Sequence, residues 1–268
     1  MEEKLHNPTL RVVKILELVN NYEDGISFAN ISKKLSIPKS TLSPILKTLE
    51  KTNFLEKTDK GCYIASFKLF QLGLSYSGRL DILSMIRKQM EVVVKEIGEI
   101  VQFGILVDDM VLYLEKVNAH DNIEIVSSVG KKLPAINTAL GKALLSEYND
   151  DEIREKFENY EFLAHTKNSI KNVDELLEHI HRVRKLGYAT ENQELTTNTS
   201  CVAVPIRESG VIKGAMSATY PMFRKTENTE KEIAEVLLEQ KEIIEDIIKI
   251  QNLKLDFVDR RKQWGYSI

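Results

Sequence analysis

The sequence predicts an α+β protein in which a small helical N-terminal domain precedes a larger domain of strands and helices. Residues 26–50 contain two short amphipathic segments separated by a break at residues 36–38. Residues 79–97 carry a long apolar stripe at helical spacing, and residues 100–219 alternate β-branched runs with helical segments. At 268 residues the chain is long enough for two such cores.

Bulk composition predicts a cytoplasmic globular protein. Hydrophobic residues make up 43% of the chain and charged residues 29%. The sequence has no run of about 18 apolar residues that predicts a membrane span, and residues 1–4 lack the apolar core of a signal peptide. Cys62 and Cys201 lie outside any metal-ligand spacing, and His179 and His181 diverge on a helix. We therefore expect no metal, no cofactor and no membrane partner.

The first predicted helix begins at residues 7–9, where a proline is well placed in a first turn. We expect this helix to pack under the next two helices and complete a three-helix domain. Its predicted inner face consists of Leu10, Val13, Leu16 and Val19.

Two short helices and a tight turn follow. Pro38 ends the first of them, because proline lacks an amide donor and restricts the residue before it, and it suits an early position of the second. The predicted inner residues are Phe28, Ala29, Ile31 and Leu35 in the first helix, and Leu42, Ile45, Leu46 and Leu49 in the second.

The outer face of the second helix carries short polar and cationic side chains, which suit contacts with phosphates and base edges. A turn-rich segment at residues 58–61 then joins two short strands, which predicts a hairpin, or wing. This pattern indicates a winged helix-turn-helix that contacts double-stranded DNA. The predicted DNA-binding residues are Lys39, Ser40, Thr41, Ser43 and Lys47 on the helix, with Lys57 and Lys60 on the wing.

Charge distribution favours the same interpretation. Residues 1–72 carry a net charge of +3 within a chain of −3, so the remainder is acidic. The alternative is an αα-hairpin inside a larger core, with the lysines forming an ordinary solvated face.

Residues 79–97 predict one long amphipathic helix. Its apolar positions allow two interpretations, a linker that also dimerises and a plain core-facing helix. These positions are Leu83, Ile86, Met90, Val93 and Ile97.

The second domain is predicted to contain strands mixed with helices and to end in a helix, which implies an α+β sheet domain. Strands are predicted at residues 100–107, 111–117, 123–129, 189–191, 201–207 and 211–219. Helices are predicted from Asn137 or Thr138 to about residue 148, at residues 150–160, from residue 172 or 173 to residue 186 before Gly187, and from Thr226 onward.

The segment at residues 132–142 offers a candidate ligand site. A cap at Asn137 or Thr138 leaves the amides of Ala139 and Leu140 at a helix N-terminus, which suits a carboxylate or a phosphate. Gly141 permits close approach of another element. The alternative is an ordinarily capped helix. Residues 216–219 place two hydroxyls on one strand face, as ligand contacts or as satisfied core groups.

Three segments resemble the IclR-type bacterial transcription regulators over about residues 7–250. They are residues 37–41 with 47–50, residues 133–143 and residues 201–206, in the same order as in that family. The resemblance implies a winged helix-turn-helix domain over residues 1–75, a linker and dimerisation helix over 76–98, and a GAF-like mixed α/β effector domain over 99–252. Residues 253–268 form a tail of unknown role.

The resemblance also implies a homodimer or homotetramer that binds a palindromic operator. Its affinity for the operator is modulated by a small organic-acid effector. The preferred direction of regulation is repression that the ligand relieves. Activation is compatible with the same residues. The effector pocket carried over from the family consists of Ala139, Leu140, Glu191, Cys201, Ser217 and Thr219.

The sequence departs from the family pattern at three places. Ile136 stands where a histidine or aromatic residue is frequent, and Glu191 replaces a frequent aspartate. In the recognition helix, Ser43 and Pro44 occupy positions often filled by histidine and arginine, so the operator is expected to be unusual. Pro44 is expected to remove one bond within the helix.

Two other classes compete with a ligand-controlled regulator. One is an enzyme with a DNA-binding appendage, in which Cys201 is the nucleophile, although no histidine lies near it in sequence. The other is an architectural DNA binder without a ligand. The size of the second domain disfavours the latter, and we expect the protein not to be an enzyme.

Overall fold

The computed structural model describes residues 5–22, 24–74, 80–119, 127–255 and 257. The chain divides into two compact units, Met1–Gly78 and Arg79–Ile268. The helix expected to act as a linker belongs to the second unit.

The first unit is a winged helix-turn-helix, as the sequence predicts. Its small antiparallel sheet has the strand order β1-β3-β2, in which β2 and β3 form the wing. Its elements are α1 (Asn7–Asn20), β1 (Ile26–Ser27), α2 (Phe28–Lys34), α3 (Lys39–Lys51), β2 (Leu55–Lys57), β3 (Cys62–Ala65) and α4 (Phe67–Leu74).

The core of this unit corrects two of the predicted inner faces. In α1, Ile15 is buried while Val13 is 39% exposed, so the buried face of the helix is rotated from the predicted one. In α2, Ala29 is exposed, whereas the predicted Ile31 is buried and Phe28 and Leu35 are partly buried. The inner face of α3 is confirmed, with Ile45 partly buried beside Leu42, Leu46 and Leu49.

The turn between α2 and α3 depends on one left-handed residue and one side-chain bond. Ser36 has φ +51°, and the Ser32 hydroxyl donates to the Ile37 carbonyl at 2.7 Å. Pro38 is the N-cap of α3, one residue before the first helical position. Pro44 lies inside α3, and the helix continues past it to Lys51.

The second unit is built on a six-stranded antiparallel sheet with the order β6-β5-β4-β9-β8-β7. Its strands are β4 (Ile100–Val107), β5 (Met110–Val117), β6 (Lys132–Pro134), β7 (Ala189–Asn192), β8 (Thr199–Glu208) and β9 (Val211–Pro221). Its helices are α5 (Leu80–Ile97), α6 (Ala139–Leu145), α7 (Asp150–Lys156), α8 (Val173–Leu186) and α9 (Thr229–Ile250).

Helices cover both faces of this sheet, and each face has its own apolar core. Helices α5 and α9 pack on one face with Val101, Phe103 and Val204. Helices α6, α7 and α8 pack on the other with Val111, Ala203 and Ala215. Each core buries apolar surface that the sheet alone would leave in water.

Helix α5 uses its apolar stripe inside its own unit. Ile86, Met90 and Val93 are fully buried in the core that α5 shares with α9. The core-facing interpretation therefore accounts for this stripe, and dimerisation by the helix stays a prediction.

Two other predictions are adjusted. Helix α9 begins at Thr229 instead of Thr226, because the Thr229 hydroxyl accepts the N–H of Thr226 at 2.8 Å in the turn before the helix. Of the strand predicted at residues 123–129, residues 127–129 are not in a strand and 123–126 lie outside the described residues. The short strand β6 and helix α4 were not predicted.

Within the described part of the chain, no helix combines the length and apolarity needed to cross a membrane.

Candidate functional site

The outer face of α3 is polar and reaches solvent. Lys39, Ser40, Ser43 and Lys47 are exposed, and Thr41 is half-buried. No acidic residue lies in the first turn of the helix. Because the opposite face is anchored in the core, this face points away from the unit and is available to a partner.

The wing places its two lysines at an ordered turn. Thr58 N–H donates to the Cys62 carbonyl, and Gly61 N–H donates to the Thr58 carbonyl, both at 2.8 Å. Lys57 and Lys60 are exposed on either side of this turn. The Lys57 ammonium lies 5.8 Å from the centre of the Tyr63 ring, which orients it along the hairpin.

The second unit contains a cavity of about 240 Å³. It lies at the start of α6 and is walled by the central strands and by the connection between β7 and β8. All six residues that the resemblance assigns to an effector pocket line it, namely Ala139, Leu140, Glu191, Cys201, Ser217 and Thr219. The fold thus brings together residues that are up to 80 positions apart in the sequence.

The start of α6 presents free donors at this cavity. Thr138 is the cap, since its hydroxyl accepts the N–H of Gly141 at 3.0 Å, which resolves the choice between Asn137 and Thr138. The amides of Ala139 and Leu140 come first in the helix and have no acceptor among the described residues.

Gly141 fixes the position of this helix start. A Cβ at this position would lie 2.1 Å from the Ala135 carbonyl oxygen. Only glycine therefore allows the turn at residues 135–137 to pack directly against α6.

Glu191 supplies the acidic group of the cavity. It is only 4% exposed, and its Oε1 accepts the N–H groups of Glu194 and, at 3.3 Å, Leu195. Burial, with a smaller contribution from the nearby Glu194 carboxylate, raises the pKa of Glu191 to about 7, against the opposing effects of its amide donors and of Lys142.

A row of polar side chains crosses the cavity wall. The Cys201 thiol lies 3.2 Å from the Thr219 hydroxyl, which donates to Gln102 Oε1 at 3.4 Å. Gln102 Nε2 in turn donates to the Ser127 hydroxyl. Burial, together with the Glu191 charge, raises the pKa of the Cys201 thiol. Burial, followed by the charges of Cys201 and Glu191, raises the pKa of the Tyr113 phenol.

Several lining residues were missed by the sequence analysis. The clearest signal was Gln102, a polar residue in an otherwise apolar strand. Asn137 lines the cavity as well, and its side-chain nitrogen is buried without a partner in the described structure. The connection between β7 and β8 gave no recognisable pattern. Leu133, Asn137 and Thr138 belong to the segment 132–142 that the sequence singled out as a candidate ligand site, and the other missed residues are Tyr113, Ser127, Leu195, Thr196, Asn198 and Thr199.

The cavity carries a single side chain of the strongly acidic or basic types. Among the described residues that line it, Glu191 is the only Asp, Glu, Lys, Arg or His. Within the same described ranges, no group of three or more His, Cys, Asp or Glu side chains could hold a metal ion.

The chain matches two sequence families that lie side by side. Residues 9–59 match the IclR helix-turn-helix domain, and residues 74–245 match the C-terminal domain of the bacterial transcriptional regulator IclR. The second match alone covers more than half of the chain.

Individual relatives agree along most of their length. The HTH-type transcriptional regulator KdgR of Escherichia coli is 27% identical over 230 residues, 85% of this chain and 87% of KdgR. The HTH-type transcriptional repressor AllR of Escherichia coli is 24% identical over 220 residues, 81% of each chain. The crystal structure of Thermotoga maritima IclR superimposes with a TM-score of 0.69 and 26% identity, covering 92% of this chain and 99% of that one.

Proposed function

The chain belongs to the IclR family of bacterial transcription regulators, and from that premise we propose that it is a repressor whose operator affinity is set by a small organic acid bound in the cavity. The observation that carries this proposal is the cavity of about 240 Å³ at the start of α6. All six expected residues line it. Repression is supported by the relationship to AllR, which is described as a repressor.

The DNA-binding surface of the proposal is the outer face of α3. Lys39 and Lys47 contact phosphates, and Ser40, Thr41 and Ser43 approach bases or backbone in the major groove. On the wing, Lys57 and Lys60 reach the adjacent backbone. A homodimer or homotetramer would place two such surfaces on a palindromic operator in the cytoplasm.

In the effector site, the amides of Ala139 and Leu140 hold the carboxylate of the ligand, because free N–H donors at a helix start favour an anion. The hydroxyls of Ser217 and Thr219 and the thiol of Cys201 contact the rest of the ligand. The ligand changes operator affinity only through its different affinities for the DNA-binding and non-binding states.

The chemistry at Cys201 disfavours an enzyme. A cysteine nucleophile acts as the thiolate and needs a lowered pKa. Here burial and Glu191 raise the pKa of the thiol, and the cavity lining described above includes no histidine to act as a base. Slow labelling of Cys201 by iodoacetamide in the native protein is the expected result, and rapid labelling at neutral pH would favour the enzyme.

A thermal-shift screen of keto acids, sugar acids and aromatic acids tests the effector site. We expect at least one acid to raise Tm in the wild type and to lose its effect in Ser217→Leu, which places a larger side chain in the cavity. The same acid should weaken binding to an operator isolated by selection from genomic fragments. An acid that acts equally on both proteins binds elsewhere. If no acid shifts Tm or operator affinity, the result favours a ligand-free architectural DNA binder.

A further inference from the structure

Glu191 lies in the same small cavity as the donors proposed to hold the ligand carboxylate. Its strand β7 pairs with β8, where Glu191 is directly opposite Cys201. On the described lining, no lysine, arginine or histidine accompanies it. An anion bound in this cavity therefore meets a second acidic group, and no lysine, arginine or histidine of the described lining lies beside it.

The groups that face Glu191 from the neighbouring elements do not supply that cation. Glu194, in the connection after β7, is itself acidic. Lys142 on α6 has its ammonium 2.6 Å from a Glu194 carboxylate oxygen, and neither residue is among those that line the cavity. The remaining titratable groups near Glu191 are Cys201 on β8 and Tyr113 on β5. His179 and Arg182, on α8, lie beyond Lys142.

We propose that Glu191 receives an organic acid in its protonated, uncharged form, so that binding takes a proton from solvent wherever the carboxyl of the free protein is ionised. This inference rests on the proposed effector function of the cavity. Two carboxylates that share a buried site cannot both ionise without strong repulsion, and one proton removes that repulsion. The protonated group also gains an O–H donor for the ligand. On dissociation, the anion and the proton return to water.

The hydrogen bonds of Glu191 are compatible with protonation. Oε1 accepts the N–H groups of Glu194 and Leu195, an arrangement that a neutral carboxyl or a carboxamide oxygen can keep. Oε2 is then the oxygen that carries the proton. Burial raises the pKa of Glu191 to about 7, so the carboxyl readily takes up a proton near neutral pH.

The consequence is a pH-dependent affinity for acids. If binding requires the protonated form and the pKa is about 7, the affinity for an anion falls about tenfold between pH 6 and pH 8. An uncharged analogue of the same shape shows no such dependence, because it has no charge to be repelled.

Isothermal titration calorimetry of the full chain at pH 6, 7 and 8 tests this inference. The probes are pyruvate, D-gluconate and benzoate, which stay ionised over this range, with benzamide and D-glucitol as uncharged counterparts. The test variant is Glu191→Gln, which keeps an oxygen for the two amides and cannot ionise. Its matched control is Glu208→Gln, a buried carboxylate outside the cavity that accepts the N–H of Leu255 at 2.7 Å.

We expect the wild type and the control variant Glu208→Gln to bind at least one acid with the tenfold decline, and Glu191→Gln to bind it equally at all three pH values. Wild-type affinity that is independent of pH would overturn the inference, as would a full decline in Glu191→Gln or loss of its binding at every pH. Failure of the effector proposal has a different signature, namely that none of the three acids binds any folded variant at any pH.

Discussion

The ammonium of Lys142 and the carboxylate of Glu194 form an ion pair of 2.6 Å in the protein interior, where their side chains are 0% and 4% exposed. Lys142 belongs to α6 and Glu194 to the connection between β7 and β8, so the pair joins two walls of the cavity. His179 Nδ1 lies 3.4 Å from the same ammonium. Burial, with the charges of Lys142 and Arg182, lowers the pKa of His179 to about 3, so its imidazole is neutral and accepts this bond.

Breaking this pair should destabilise the second unit strongly. Glu194→Gln leaves the Lys142 charge buried without its carboxylate, and we expect it to lower the free energy of unfolding by about 3 kcal/mol. Urea denaturation at pH 7, followed by circular dichroism, measures the loss.

Two comparisons separate charge from packing at this pair. Glu235→Gln removes one partner of an exposed pair, Lys231 and Glu235 at 3.8 Å, and should cost at most about 0.5 kcal/mol. The double replacement Lys142→Met with Glu194→Leu should recover much of the stability, since no charge is left unpaired. An effect of Glu194→Gln no larger than that of Glu235→Gln would contradict a buried pair.

The raised pKa of Glu191 makes stability depend on pH. The folded protein retains this proton up to about pH 7, whereas the unfolded chain loses it near its ordinary value of 4.5. Stability is therefore lost as the pH rises from about 4.5 to 7, and the full cost persists above pH 7. Glu191→Gln avoids this cost, so we expect it to exceed the wild type by on the order of 3 kcal/mol at pH 8.

The measurement is a pair of urea denaturation series at pH 5 and pH 8 for each protein. Near pH 5 the advantage of Glu191→Gln should be small, since the folded protein then carries a neutral Glu191. Equal differences at the two pH values would show that the carboxyl group does not titrate in this range.

The sequence predicts this fold well wherever a pattern is local. The inner face of α3 is visible because Leu42, Leu46 and Leu49 recur at helical spacing, and their burial confirms it. In α1 the same reasoning chose Val13 over Ile15. Several apolar residues stand side by side there, and only the neighbouring helices decide which of them turn inward.

The site is less predictable because it depends on contacts between distant strands. The resemblance located Cys201 and Thr219, but nothing local shows that Gln102 reaches Thr219 across 117 positions. Likewise, the spacing of Lys142 and Glu194 gives no sign of their pairing. Buried polar networks of this kind are set by tertiary packing, which hydrophobic periodicity in the sequence does not reveal.

Gly141 should be intolerant of any side chain. Gly141→Ala brings a Cβ to within 2.1 Å of a backbone oxygen of Ala135, so either α6 or the preceding turn must move. We expect a loss of about 2 kcal/mol or more, although alanine favours a helix over glycine by up to about 1 kcal/mol. Urea denaturation measures the loss. A stabilised Gly141→Ala protein would contradict the close contact.

The salt dependence of DNA binding tests the proposed role of α3. Each lysine that neutralises a phosphate contributes about 0.9 to the slope of log K against log salt concentration. Lys39→Ala with Lys47→Ala should therefore flatten the slope by about 2 on a 30-base-pair duplex of arbitrary sequence. Fluorescence anisotropy between about 50 and 200 mM salt covers the useful range.

The control for this pair removes the same charge from the second unit. Lys231 and Lys249 are exposed on α9, outside the proposed interface. Lys231→Ala with Lys249→Ala should leave the slope unchanged. If both double variants change it equally, net charge rather than the α3 surface governs the binding.

Leu253, Leu255 and Phe257, which follow α9, pack in the core of the second unit and should contribute to its stability. Leu255 is 2% exposed in the core shared by α5 and α9, and its N–H donates to Glu208 at 2.7 Å. Two residues later, the Phe257 ring packs edge-on against Phe103 with 6.2 Å between ring centres. Leu255→Ala should therefore cost about 2–4 kcal/mol, because it removes a buried side chain and leaves a cavity.

Ile250 provides the matched control for that prediction. It ends α9 and is 82% exposed, so Ile250→Ala should change the free energy of unfolding by no more than about 0.5 kcal/mol. Urea denaturation of the two single variants compares them directly. Equal effects would mean that Leu255 does not pack in solution, and a loss confined to Leu255→Ala would establish the segment as a structural part of the second unit.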